Sequence, residues 1–314
     1  MGLLDSLLGG RGGDGGDDAE AARRREEDVA RVEGGSIPLA AEQRMRSLAA
    51  GTTGFTSALS VADFALCREA GVRPVAQVMG SSVYKVGWQG YPWTQGWQPM
   101  GLATELETLT NAWNRARALA LRRMAEEAAL AGAHAVVDVT FEDRRHDFLD
   151  DEIEIVVNGT AAVLDGRPPA DDKPVLTDLS MPDYALLRRG GYEPTGVVAA
   201  TSVLYVVPGA TTQRLTGGWQ RFQPNQELTD YTQGLYAARE LALGRANHMA
   251  WRDGATALVG VTLAQHVAVR EVDQNNSKRE DLVITFHVLG TGIVQPAEHR
   301  PLQPQTVIRQ GARP

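Results

Sequence analysis

The side chains able to do chemistry crowd into one stretch. His134, Asp138, His146, Asp147, Asp150 and Asp151 fall together, and Glu152 and Glu154 follow directly. Imidazoles and carboxylates suit a divalent ion. A structural zinc site takes four Cys or His ligands at close spacing. The chain has one cysteine, Cys67, which excludes a thiolate cluster within one chain. His134 and Asp138 stand four apart in an expected strand, on one face but ~13 Å apart along it. They serve one ion only if related chains each contribute a ligand. His134, Asp138 and Glu154 are the candidate metal ligands on that basis. His146 and Asp147 read as solvated hairpin residues, and strand alternation accounts for Glu152 and Glu154 without acid–base work.

Catalytic signatures are missing from the sequence. It has no phosphate-cradling glycine loop between strand and helix, no His-Glu-x-x-His and no Gly-x-Ser-x-Gly. Cys67 sits between apolar neighbours in an expected helix, a core setting. A protein without catalytic residues is expected.

The elements that must position these residues occur twice. Residues 115–141 and 237–263 match at a spacing of 122: Arg117 with Arg239, Leu119-Ala120-Leu121 with Leu241-Ala242-Leu243, Arg123 with Arg245, Gly132-Ala133 with Gly254-Ala255. Each copy is an Arg-rich helix that stops at Gly and runs into a Val-rich strand. Leu106, Leu109, Trp113, Ala116, Ala120 and Met124 form one apolar helix face at steps of three and four. Leu228, Tyr231, Leu235, Ala238, Ala242 and Ala246 form its counterpart. The arginines lie largely off these faces and read as solvated surface, with carboxylate pairing across an interface as the alternative.

Upstream, Thr52–Ser60 is expected to be a strand, followed by a short helix from Val61 that closes at Gly71. Asp183-Tyr184-Ala185-Leu186 and Gly191 repeat that helix at a spacing of 120. Pro74 and Pro194 each start an expected strand. Loops with Trp88, Trp93 and Trp97 in the first copy and Trp219 in the second offer a partner or ligand surface. Packing of these rings on the protein's own sheets is the competing account.

The totals fit two domains. Hydrophobic residues make up 43%, enough for a packed core. The net charge of -8 and a pI near 5.3 argue against binding nucleic acid by phosphate neutralisation. One cysteine, no secretion signal and no apolar run of spanning length give a cytoplasmic expectation. The expected organisation is an arm over 1–46, domains over 47–165 and 176–295, a Pro/Asp linker over 166–175 and a disordered tail over 296–314. The arm begins with Leu3, Leu4, Leu7 and Leu8 at helical spacing, a docking segment for a partner or membrane surface. A Gly/Asp tether and a charged helix over 18–33 follow.

The paired segments Gly132-Ala133-His134-Ala135-Val136-Val137-Asp138-Val139 and Gly254-Ala255-Thr256-Ala257-Leu258-Val259-Gly260-Val261, with endings Gly159-Thr160-Ala161 and Gly290-Thr291-Gly292, resemble the YbjQ-type family, which carries a heavy-metal-binding label. The resemblance implies an α+β fold: two tandem dodecin-like domains, each a small, mainly antiparallel sheet on one long helix. It also implies assembly into pentamer-like rings. Asp138 stands where the family has Gly, and the acidic residue of its last strand corresponds to Glu154 but to Thr285 in the second copy.

A sheet this small leaves apolar area and strand edges open, which association with equivalent domains hides. The sequence therefore points to a non-enzymatic, self-associating, ring-forming binding or scaffold protein. The alternatives are a metal-ion or small-ligand binder using the ring interior, and membrane or partner docking through residues 1–10.

Overall fold

The computed structural model describes residues 15–87, 101–145, 152–168, 170, 173–216, 225–274 and 277–295. They form an α+β fold with two four-stranded sheets, as expected for the class. Two helices come first, α1 (Gly15–Glu33) and α2 (Leu39–Ala49). The first half continues through α3 (Val61–Glu69), β1 (Val72–Lys85), β2 (Leu102–Glu105), α4 (Glu107–Leu130), β3 (Ala135–Arg145) and β4 (Glu152–Leu164). The second runs through β5 (Val175–Leu176), α5 (Met181–Arg189), β6 (Glu193–Val207), α6 (Ala210–Thr216), α7 (Thr229–Arg252), β7 (Ala257–Gln274) and β8 (Ser277–Val294).

Local chemistry repeats in both halves. Ser60 caps α3 by accepting from the Asp63 N–H at 3.2 Å, and its hydroxyl donates to the Asp63 carboxylate. Ser180 and Asp183 repeat this at the start of α5. Such a reciprocal pair satisfies amides that the first turn leaves unbonded. Both long helices have 24 residues and begin after a leucine, Leu106 or Leu228, with nearly the same dihedrals. Both following strands carry a bulge, between Val137 and Thr140 and between Val259 and Thr262. The extra residue sits at φ 56° in Asp138 and 64° in Gly260. Aspartate tolerates that left-handed geometry, which is why it can replace glycine there.

The sheets run β1-β4-β3-β5 and β2-β6-β8-β7. All pairings are antiparallel except β3 with β5. α4 lies on β1 and β4, and also against β6 of the other sheet; α7 covers β6 and β8. All six residues of the expected α4 face are buried. On α7, Ala238, Ala242 and Ala246 are buried, while Leu228, Tyr231 and Leu235 remain partly open. α4 approaches β1 so closely that a Cβ on Gly80 would sit 1.8 Å from the Ala120 carbonyl oxygen.

Three expectations change. Thr52–Ser60 forms no strand; its backbone is held by a side chain instead, the Ala58 N–H donating to Thr160 Oγ1 at 3.1 Å. The long helix, expected over about 103–131, begins only at Glu107, because Leu102–Glu105 is a strand paired with β6. Pro74 lies inside β1 beside a bulge, not at its first residue. In addition, α2 seats Met45 in the core, and Arg44 reaches Glu127 at 2.8 Å.

Replacing Gly80 by alanine is expected to destabilise the protein by about 4 kcal/mol or more in denaturant unfolding, because backbone rather than a flexible side chain blocks the new methyl. Gly244→Ala, with open space around it on α7, should stabilise by about 0.5–1 kcal/mol in the same assay.

Candidate functional site

The two halves close each other's sheets. β2 departs from its own sheet and pairs with the outer edge of β6, Leu102 opposite Val207 and Glu105 opposite Leu204. The Gly101 N–H donates to the Val207 carbonyl at 3.0 Å, and the Leu106 N–H donates to the Val203 carbonyl at 2.8 Å. The Val203 N–H donates in turn to Thr110 Oγ1 at 3.0 Å. Arg245 of α7 holds the Glu105 carboxylate at 2.7 Å. In return, β5 and the residues after it lie along β3. The Val175 and Thr177 amides donate to the His134 and Val136 carbonyls, and the Asp138 and Val139 amides donate to the Leu179 and Thr177 carbonyls. An unpaired edge is a liability in water and a site for association; here each half covers an edge of the other.

A polar cluster sits where α4 meets β6 and β8. Arg117 is 7% exposed. Its Nη1 donates to Thr201 Oγ1 at 2.7 Å, and its Nη2 lies 3.2 Å from His287 Nδ1. The Thr201 hydroxyl accepts from arginine and donates to His287 Nδ1 at 2.8 Å. With Nδ1 accepting, this network assigns the ring proton to Nε2, the nitrogen 4.0 Å from an Asp143 carboxylate oxygen. Trp113 meets the His287 ring edge-on at 5.0 Å, and Phe141 lies beneath the guanidinium at 5.9 Å. Burial draws the Arg117 pKa down to about 10, and nearby Asp143 opposes that pull. Asn114 grips the β6 edge with both ends of its amide, to the Thr201 N–H and carbonyl. Solvated surface was the expectation for Arg117; the correction is that its helix is covered on two sides.

A third contact is apolar. Met181 and Tyr184 of α5 are 0% and 1% exposed. They fill a slot formed by Cys67, Val72 and Val137 of the first half. Burial raises the Cys67 thiol, with Asp63 as the second cause, so it is a core thiol rather than a reactive one.

The candidate metal ligands do not converge. His134 precedes β3 rather than lying in it. Its Nδ1 accepts from the Leu164 N–H at 3.0 Å and its Nε2 lies 2.7 Å from the Pro168 carbonyl, so both nitrogens are engaged. Thr256 does the same work in the second half, accepting from the Gln295 N–H at 3.0 Å. Asp138 occupies the bulge, so the shared strand face expected for it and His134 is lost. Burial raises its pKa, and Asp63 adds to the shift. Glu154 sits on β4 opposite Val83. Among the described residues no group of three or more His, Cys, Asp or Glu is placed to hold a metal ion. Trp88, Trp93, Trp97, Trp219 and the segment Leu3, Leu4, Leu7 and Leu8 lie outside the described residues.

The closing Gly-Thr motif has a physical role that spacing alone did not reveal. A Cβ on Gly159 would meet Val136 at 2.6 Å, so the strands approach closely there. Thr160 and Thr291, both 0% exposed, pin the chain leading into the short helices. Thr160 holds Ala58; Thr291 holds the Asp178 N–H at 3.2 Å and bonds Thr177 and the Asp178 carboxylate. Burial raises the Asp178 pKa, and the Thr291 hydroxyl opposes the rise. Thr201 and His287 belong to no sequence motif. The only signal was the recurrence of Arg117.

The YbjQ family model, which carries a heavy-metal-binding label, matches residues 100–165. The chain is also 33% identical to the "Encapsulin nanocompartment protein Rv1762c" of Mycobacterium tuberculosis, over 81% of this chain and 91% of that one. No solved structure matches.

Arg117→Ala is expected to lower unfolding stability by about 2–4 kcal/mol, because it empties a buried volume and leaves Thr201 and His287 short of a partner. Arg252→Ala, at a 66% exposed side chain, should change it by no more than about 0.5 kcal/mol. Chemical denaturation followed by tryptophan fluorescence reads both.

Proposed function

Because the chain belongs to the family of the Mycobacterium tuberculosis encapsulin nanocompartment protein Rv1762c, we propose that it is a non-enzymatic, self-associating structural protein that contributes to a protein compartment. The observation that carries this reading is the pattern of strand edges. Each half is stabilised by a strand from the other, and the outer edge strands β7 and β1 are left at the two ends of the pair. A protein built this way gains from further association of the same kind.

In finer terms, residues 47–165 and 176–295 act as two YbjQ-like lobes joined by the 166–175 linker, and the lobes repeat into a ring. The family match over 100–165 and the repeated caps, bulges and helix lengths support the reading. Among the described residues no helix is long and apolar enough to cross a membrane. Both nitrogens of His134 are occupied, and among the described residues no group of three or more His, Cys, Asp or Glu could hold a metal ion, so the metal-binding alternative needs ligands from several chains and the release of His134 from its present partners.

Native mass spectrometry tests the reading. Assemblies of several chains are expected at micromolar concentration, and a monomer there would overturn it. Chelator treatment is expected to leave both the assembly mass and the melting temperature unchanged; a loss of either would favour the metal-binding alternative.

A further inference from the structure

The contacts that join the two halves have vacant counterparts at the far ends of the molecule. The spacing of 120 that relates α3 to α5 equates Met181 with Val61 and Tyr184 with Phe64. Met181 and Tyr184 are buried in the slot of the first half. Val61 is 89% exposed, and Phe64 is 45% exposed with its ring stacked at 5.9 Å on the equally exposed Phe55, although apolar side chains on a surface cost free energy when left in water.

The slot itself is also duplicated. Cys67, Val72 and Val137 correspond to Leu187, Tyr192 and Val259 in the second half. Those three residues line an open, largely apolar cavity of about 450 Å³, together with Leu179 and Gly260. In the first half this place is filled by α5; in the second half it has room and, among the described residues, no occupant. The pair Val61 and Phe64 therefore matches this cavity by type and by position.

The backbone repeats the match. Beside the filled slot, residues 175–179 lie along β3. Their counterparts, residues 55–59, are in no sheet, and β7, the counterpart of β3, is an edge strand. At the other end, Val203 on β6 is wholly buried beneath the first half, while its counterpart on β1, Val83, is 63% exposed. Leu106, which caps α4, and Thr110 in its first turn bond the Val203 backbone; they correspond to Leu228 and Thr232 at the start of α7, which remain partly open.

We infer that the second half of one chain receives the first half of another copy of this chain, with Val61 and Phe64 seated in the cavity of Leu187, Tyr192 and Val259. Residues 55–59 add to the β7 edge in the same step. This rests on the self-association proposed above and names its surface. The occupant is a second copy because the same surfaces already bind each other within the chain. The contact is heterologous, so it propagates head to tail until it closes.

The test uses the full-length chain. Val61→Asp and Phe64→Asp place a charge where apolar burial is required; Val61 is 89% exposed within the single chain, so Val61→Asp should leave the unfolding midpoint of the dissociated chain unchanged, while Phe64→Asp also gives up the stacking on Phe55. Assembly is expected to weaken ~100-fold or more, read by native mass spectrometry across a dilution series. A photo-crosslinking phenylalanine analogue at position 64 should capture the peptide containing Leu187 and Tyr192 from a second copy. If wild type assembles and both aspartate variants assemble equally well, self-association stands and this surface is wrong. If wild type is monomeric, both readings fall. Capture of a different protein by residue 64, with no self-crosslink, would also overturn the inference.

Discussion

An unpaired strand edge in water is the constraint from which the rest of the structure follows. Each half has one long helix and three strands of its own, and a sheet of that size cannot cover both its faces and its borders. The chain resolves this by reciprocal loan: β2 goes to the second sheet and β5 to the first. Backbone pairing fixes the relative position of the halves, because a strand that slips by one residue presents its other face. α4 is thereby trapped between two sheets, and its small residues, Ala116 and Ala120, permit the close approach that Gly80 requires.

That trapping explains why the polar cluster is where it is. A guanidinium is tolerated in a buried setting only when its hydrogen bonds are met. Arg117 finds Thr201 and His287 because the second sheet reaches it. Its counterpart, Arg239, has no such cover and instead pairs with the adjacent Glu240 over the Tyr236 ring. The same residue type at the same helical position is thus an internal fastener in one half and a surface group in the other. What distinguishes them is the neighbour.

Much of the fold is readable from the sequence. The apolar face of α4 and the recurrence of α3 as α5 follow from periodicity and spacing, and the α+β class follows from the family resemblance. What sequence could not show is exchange. Leu102–Glu105 reads as a continuation into α4 because nothing local says that β6 will be its partner. Thr52–Ser60 reads as a strand from its composition, yet strand formation needs an edge to join. Residue type points to His134, Asp138 and Glu154 as metal ligands, and type is a poor guide when a histidine has carbonyl and amide neighbours. His134 spends both ring nitrogens on tying down the ends of β4 and the loop beyond it. Thr256 achieves the equivalent tie with a hydroxyl, which shows that the position needs a hydrogen-bonding group rather than an imidazole.

The covalent continuity between the halves has a kinetic consequence. The joint inside the chain forms at an effective concentration set by a short connecting segment, whereas a joint between chains obeys mass action. In a head-to-tail assembly these two kinds of joint alternate. Dilution would then cut the assembly at every second joint and release intact pairs of lobes, never single ones. Any closed form would hold an even number of lobes, so fivefold symmetry in chains would mean ten lobes around the circle.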